Sequence, residues 1–193
     1  QRQGRSALRL MRQVAVTVSG RHYGLHELTA PLVLDRLVPG DGKWEVEIGF
    51  GKGRYLIRRA VEVPQRRFLG IEMASAYHRL VARRAERRGA DNLMLIRGEA
   101  LYVLATLVPA GFASAVHVYF PDPWPKARHQ KRRLFDPETV DLVLDLLQPG
   151  GRLYFATDFL EYGQSVEALL DSHPATEVRS LDGPWPDGAR TNY

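Results

Sequence analysis

Apolar positions along this chain switch repeatedly between a spacing of two and a spacing of three or four. Trp44–Ile48, Arg67–Glu72, Asn92–Ile96, Ala113–Phe120 and Arg152–Thr157 read as strands. Between them, Lys52–Val61 carries Leu56, Ile57, Ala60 and Val61 on one helical face, and Ala74–Arg88 carries Tyr77, Leu80, Val81 and Ala85, closed by Gly89. Ala100–Leu107 is a shorter helix. Asp136-Pro137 opens another that runs to Leu147 and stops at Pro149-Gly150-Gly151, and Phe159–Leu170 forms the last. A short helix over 32–37 ends near Pro39-Gly40, and Ala175–Arg179 is a candidate sixth strand. The Ala113–Phe120 segment carries apolar residues on both faces, as in the middle of a covered sheet. Strands alternating with helices predict an α/β fold: a doubly wound, mostly parallel, Rossmann-like sheet with right-handed crossovers.

The charge distribution divides the chain. No acid precedes Glu27, while Arg2, Arg5, Arg9, Arg12 and Arg21 do. Residues 1–25 therefore read as a flexible basic arm and 26–193 as one domain. Net charge is +5, with further basic clusters at Arg83-Arg84, Arg87-Arg88 and Lys126 to Arg133, the footprint of a polyanion binder. The absence of cysteine excludes disulfides, thiolate metal sites and a cysteine nucleophile. The six histidines lack metal-ligand spacing, so no metal is expected. No apolar run approaches the roughly 18 residues of a membrane span, and no secretory leader is visible, so the expected location is the cytoplasm. The sequence opens at Gln1 without a methionine, and its true start is expected upstream.

Two segments carry the candidate chemistry. In Glu45-Val46-Glu47-Ile48-Gly49-Phe50-Gly51-Lys52-Gly53, glycines stand where the first strand meets the first helix, so the backbone can turn sharply and approach a ligand. The spacing is neither a P-loop nor G-x-G-x-x-G. Glu47 precedes these glycines, Glu72 ends the second strand 19 residues past Gly53, and Glu99 follows the third strand. In a doubly wound sheet these strand ends converge on one crevice, where the acid after the second strand takes ribose hydroxyls. An acid-lined crevice with Lys52 as its one cation suits S-adenosylmethionine, which has a ribose and positive charge but no phosphate. Asp158 follows the fifth strand and reads equally as a rim acid or as the cap of the next helix. His117 reads as a satisfied core histidine.

The second segment is Phe120-Pro121-Asp122-Pro123-Trp124-Pro125-Lys126. Its prolines predict a stiff, non-helical loop that aims one acid and one ring beside a basic cluster, an arrangement suited to a nucleobase on a phosphate backbone.

Together, Glu-Ile-Gly-Phe-Gly-Lys-Gly, Phe-Leu-Gly-Ile-Glu, Phe-Pro-Asp-Pro-Trp-Pro-Lys with Arg-His-Gln-Lys-Arg-Arg-Leu, Ala-Thr-Asp and the final Arg190-Thr191-Asn192-Tyr193 resemble the bacterial tRNA (guanine-N7-)-methyltransferases. The resemblance covers about Lys43 to Asp158 plus the last four residues. It implies the class I methyltransferase fold and methyl transfer from S-adenosylmethionine, leaving S-adenosylhomocysteine, to N7 of guanine 46 in the tRNA variable loop. By position it implies cofactor contacts at Glu47, Gly49, Gly51, Gly53, Glu72 and Glu99, with Asp122 catalytic and shared between cofactor and guanine. It implies substrate contacts at Lys126, Asp158 and Thr191, and tRNA contacts at Arg128, His129, Gln130, Lys131, Arg132 and Arg133. The family's Thr-x-x-Glu motif and the strand after it would run past Tyr193, so the last strand is expected to be missing from this sequence. The expected partner is tRNA, with no membrane and no obligate protein partner, the protein acting as a monomer or homodimer. Three other readings stay open on the residues: a methyltransferase acting on another base or on protein, a catalytically silent RNA-binding module, and a nicotinamide dehydrogenase, the last disfavoured by the glycine spacing.

Overall fold

Six strands form the middle of the protein: β1 (His22–Gly24), β2 (Trp44–Ile48), β3 (Arg67–Glu72), β4 (Leu93–Arg97), β5 (Ala113–Tyr119) and β6 (Leu147–Ala156). The structure is a computed structural model and describes residues 21–38 and 40–179. The strands lie in the order β1-β4-β3-β2-β5-β6, and every pair is parallel. Parallel neighbours need long crossovers, which are supplied by α2 (Arg54–Glu62), α3 (Ser75–Arg88), α4 (Ala100–Thr106) and α5 (Val140–Leu144). Helix α1 (Leu34–Leu37) precedes β2, and α6 (Leu160–Asp171) follows β6.

The chain moves outward from β2 to β3 and β4, then returns to set β5 on the other side of β2. Loops after β2 and β5 part in opposite directions at that reversal, and a crevice opens outside the strand ends. Alternating residues bury both faces. Val46, Ile48, Ile71, Ile96 and Val118 pack with Leu34, Val103, Val143 and Tyr162 from α1, α4, α5 and α6. Phe68 and Leu95 pack on the other face with Leu56, Ala60, Val81 and Ala85 from α2 and α3. On that second face β2 and β5 present Glu45, Glu47 and His117, all buried.

The expected order of strands and helices is present between Trp44 and Asp171, and four details differ. Strand β1 falls inside the stretch read as a basic arm; at three residues it is too short to display a period, and its pairing with β4 creates it. The helix expected from Asp136 to Leu147 is only α5, and β6 already begins at Leu147. There Leu147 pairs with Ala113, and the chain bulges through Gly150 at φ 75° before Arg152 meets Ala115. Asp136 does cap the turn ahead of α5, accepting from the N–H groups of Glu138 (2.8 Å) and Thr139 (2.9 Å). Residues Ala175–Arg179 form no strand. Helix α3 buries His78, Val81, Ala82 and Ala85, which rotates its inner face by one residue and leaves Tyr77 outside. The rest of the expected arm, residues 1–20, lies outside the described residues.

Candidate active site

The turn after β2 is tight. Gly53 N–H donates to the Phe50 carbonyl at 2.7 Å, and Gly49, Gly51 and Gly53 all have positive φ (73°, 48° and 66°). Gly53 closes the turn as the residue ahead of α2, and a Cβ on it would stand 2.6 Å from Val81 Cγ2. Gly53→Ala combines a left-handed backbone with an overpacked contact, so unfolding free energy should fall by about 2–4 kcal/mol in chemical denaturation. A loss below about 0.5 kcal/mol would show that the turn relaxes freely. Nothing lies within 4 Å of a Cβ built on Gly49 or Gly51, so the turn is open on that side.

Glu47 ends up beneath this turn because alternation along β2 sends it to the α2 face. It is 4% exposed, and its Oε2 has no hydrogen-bond partner. Burial first, then the nearby Glu72 carboxylate, push its pKa up to about 8, against a main-chain hydrogen bond from Leu56. Glu72, at the end of β3, accepts from Gly51 N–H (2.9 Å) with one oxygen and from Ala74 N–H (2.8 Å) with the other. It therefore braces the glycine turn from the neighbouring strand, and its remaining lone pairs can still accept hydroxyl donors.

Glu99 has a task the sequence did not disclose. It caps α4, accepting from Leu101 N–H (3.0 Å) and Tyr102 N–H (2.7 Å). Asp158 is exposed and is not a helix cap; Phe159 takes that position in α6, without a side-chain cap bond. The cap reading of Asp158 is thereby removed. Thr191 lies outside the described residues.

The proline-framed loop leaves β5 with Phe120 N–H donating to the Ala156 carbonyl at 2.8 Å. Phe120 packs against the Tyr55–Tyr119 pair, and Tyr55 is in the first turn of α2, two residues after Gly53. That contact ties the loop's root to the glycine turn. Phe120 and Trp124 have φ of 51° and 42°, left-handed values for bulky residues. Both precede prolines, which normally hold the preceding residue extended. The loop is non-helical as expected, but it is bent rather than extended at these two points. Asp122 lies between them and is exposed at the rim, two residues beyond the Phe120 anchor.

Residues Ala127–Arg132 form a 3-10 helix with Lys126 at its cap position. Three residues per turn sort the basic segment into three faces. Gln130 Nε2 and Arg133 Nη2 both donate to Glu161 Oε1, at 3.3 and 3.2 Å. His129 and Arg132 meet the Trp124 ring, edge-on at 5.8 Å and as a cation at 5.1 Å. Arg128 and Lys131 are exposed on the third face. Arg133 is 7% exposed and its guanidinium donates to Pro123 and Glu161, so it does not share the outward face of Arg128 and Lys131.

His117 is a core histidine, as the sequence suggested. Its Nε2 meets Glu45 Oε2 at 3.1 Å, and its Nδ1 meets the Tyr119 hydroxyl at 2.9 Å. Burial alone would raise the pKa of Glu45, but the His117 hydrogen bond and the charges of His117, Arg59 and Arg66 outweigh it and hold the pKa down. An ionised Glu45 can only accept, so Nε2 donates to it, while Nδ1 lies within hydrogen-bond distance of both the Tyr119 and the Tyr55 hydroxyls. A cavity of about 430 Å³ opens beside this network, lined by Lys43, Glu45, Arg66 and Arg152 among others. It runs along this face of the sheet from Lys43, ahead of β2, to Tyr119, the last residue of β5, and its acid is already paired. Glu47, Glu72, Glu99 and the root of the proline loop lie instead at the carboxyl-terminal ends of β2, β3, β4 and β5.

Residues 41–192 match a family described as putative methyltransferase. The chain is 37% identical over 173 residues to the tRNA (guanine-N(7)-)-methyltransferase of Nitrosococcus oceani, covering 89% of this chain and 72% of that one. With the enzyme of the same name from Alkalilimnicola ehrlichii it shares 39% identity over 147 residues, 76% of this chain and 62% of the relative. Among solved structures, a 30S ribosomal A1408 methyltransferase from an uncultured bacterium superposes with a TM-score of 0.52 at 21% identity, over 72% of each chain. That likeness shows the fold alone: a class I methyltransferase sheet.

Proposed function

We propose a reaction from one premise: this chain belongs to the bacterial tRNA (guanine-N7-)-methyltransferase family. The reading is that it transfers a methyl group from S-adenosylmethionine to N7 of guanine 46 in the tRNA variable loop. Two features at the carboxyl-terminal ends of the strands support it. A buried acid with one oxygen lacking a hydrogen-bond partner lies under an open glycine turn, and a bent proline loop bearing Asp122 is anchored to the helix that this turn begins.

The residues present suit the donor. Glu47 Oε2 is a buried acceptor that lacks a hydrogen-bond partner, and the space over Gly49 and Gly51 is open. Glu47 would take the donor's positive charge and Glu72 its ribose hydroxyls, with Gly49, Gly51 and Gly53 allowing close approach. Glu99 would border the same crevice with the lone pairs left over from capping α4. S-adenosylmethionine supplies an electrophilic methyl group on sulfur and leaves as S-adenosylhomocysteine. Among the described residues, no cluster of histidine, cysteine, aspartate or glutamate is arranged to hold a metal ion.

Guanine N7 bears an in-plane lone pair and no proton, so the chain need not supply a general base. Its task is alignment, together with tolerance of positive charge moving onto the purine. Asp122 would accept from guanine N1–H and the N2 amine. Adenine has neither donor, so it would leave the acid unpaired and be rejected. Lys126 and Asp158 would border the substrate.

Backbone grip would come from the outward faces of the 3-10 helix, Arg128 and Lys131, with Arg132 held on Trp124 alongside. The double substitution Arg128→Glu with Lys131→Glu should weaken tRNA binding by at least about tenfold and flatten the plot of log affinity against log salt by about two units. Filter binding from low to moderate salt would read both; an unchanged slope would remove these residues from the interface. No described helix is long and apolar enough to cross a membrane. The proposed setting is the cytoplasm, with tRNA as partner and a monomer or homodimer as the working form.

Methyl transfer to bulk tRNA, with mapping of the modified nucleotide, tests the whole reading. N7-methylguanosine in the variable loop is the expected product. Methyl on another base or on an exocyclic nitrogen would overturn the assignment.

A further inference from the structure

Arg133 stands at the end of a run of basic residues, yet it faces inward. Its side chain is 8% exposed, against 59% for Glu161, its partner in α6. Nε donates to the Pro123 carbonyl at 2.8 Å, and Nη2 donates to Glu161 Oε1 at 3.2 Å. The guanidinium carbon lies 4.8 Å from the centre of the Tyr162 ring. Tyr162 is itself fully buried, and its hydroxyl accepts from Phe135 N–H at 3.1 Å. One planar cation thus joins the carbonyl next to Asp122 to two consecutive residues of α6.

We infer that Arg133 is a positioning residue for methyl transfer: it clamps the proline loop to α6 and so fixes where Asp122 points. The loop needs such a clamp. Phe120 and Trp124 hold left-handed backbone ahead of prolines, and conformations of that kind persist only where the surroundings over-determine them. At the loop's root the Phe120–Tyr55 packing does this; in its middle Arg133 does. A guanidinium suits the task because its rigid fork serves two acceptors while its face covers a ring, whereas an ammonium is a single point charge. The inference rests on the reading of Asp122 as the group that meets guanine.

Arg133→Lys separates positioning from phosphate contact, since it keeps the charge and loses the fork. The kcat for tRNA methylation should fall by about 10- to 100-fold, as a slightly misplaced catalytic group costs. The dissociation constant for tRNA and its salt dependence should stay as in wild type. Native-state trypsin cleavage after Lys126 and Arg128, read by mass spectrometry, should accelerate as the loop loosens. An unchanged kcat, or a loss confined to tRNA affinity with a flatter salt plot, would overturn the clamp. If Arg133→Lys does not melt cooperatively, Glu161→Ala decides, because that half-exposed partner can be removed without opening the core. A kcat loss at constant tRNA affinity supports the clamp, and wild-type kcat overturns it. Wild-type protein that leaves tRNA unmethylated would overturn the function proposed above, and the cleavage rates then decide the role of Arg133 by themselves.

Discussion

Asp122→Asn should lower kcat for tRNA methylation by about 10²–10³-fold, the range seen when one preorganised electrostatic contact to a transition state is removed. The substitution keeps the size of the side chain. It deletes the negative charge opposite a purine that becomes cationic, and it turns one acceptor toward guanine into a donor. Two donors would then face each other, and one guanine group would lose its partner. Asp122 is exposed in the free protein and outside the packed core, so the melting temperature should not move. Affinity for S-adenosylmethionine, measured by calorimetry, should change only a few-fold because Glu47 and Glu72 remain. Turnover within about threefold of wild type would remove Asp122 from the reaction.

The second large effect concerns pH. Glu47 has its carboxyl pKa raised to about 8 by burial and by Glu72, so in the free protein it is mostly protonated at neutral pH. A bound cation favours the ionised form, so cofactor binding should expel a proton. Affinity should then rise with pH, by up to about tenfold per unit below pH 8, and level off above it. Calorimetry in buffers of different ionisation enthalpy would count the proton directly. For the cofactor-free protein the sign is the reverse. Between the ordinary carboxyl value and about 8 the folded state holds a proton that the unfolded chain has released. The contribution of Glu47 to stability is therefore complete below that window and is lost as pH rises through about 8. Glu47→Gln should bind cofactor about 10- to 100-fold more weakly at pH 8, from the loss of a charged hydrogen bond. It should also flatten both pH profiles and be at least as stable as wild type at that pH without cofactor. A wild-type affinity that is flat from pH 6 to about 8.5 would show that Glu47 is already ionised before binding.

Strand β2, the glycine turn, β3 and the covered β5 were legible because each is written in local terms: a period of two, positive φ at glycine, an apolar run. The inner face of α3 was read one residue off because Tyr77 is as apolar as a core residue, and only packing selects His78 instead. Strand β1 and the early start of β6 depend on pairing with β4 and β5, partners remote in sequence, and nothing local announces them. At the site, the acids at the strand ends followed from topology. That Glu99 caps a helix, or that Glu72 holds the glycine turn, required knowing which N–H groups lie nearby. The three-residue spacing of Gln130 and Arg133 was a usable clue, but only once the segment was known to be a 3-10 helix.

By itself the sequence determined the alternating α/β order, the sharp turn at Gly49–Gly53, the stiffness of the proline loop and the excess of positive charge, since these arise from dihedral limits and side-chain chemistry one residue at a time. Only the tertiary structure decided which acid is buried with its pKa raised, which arginine turns inward onto a loop and which faces solvent. Those properties come from desolvation and from partners such as Glu161, 28 residues from Arg133 along the chain, and both exist only once the elements have packed.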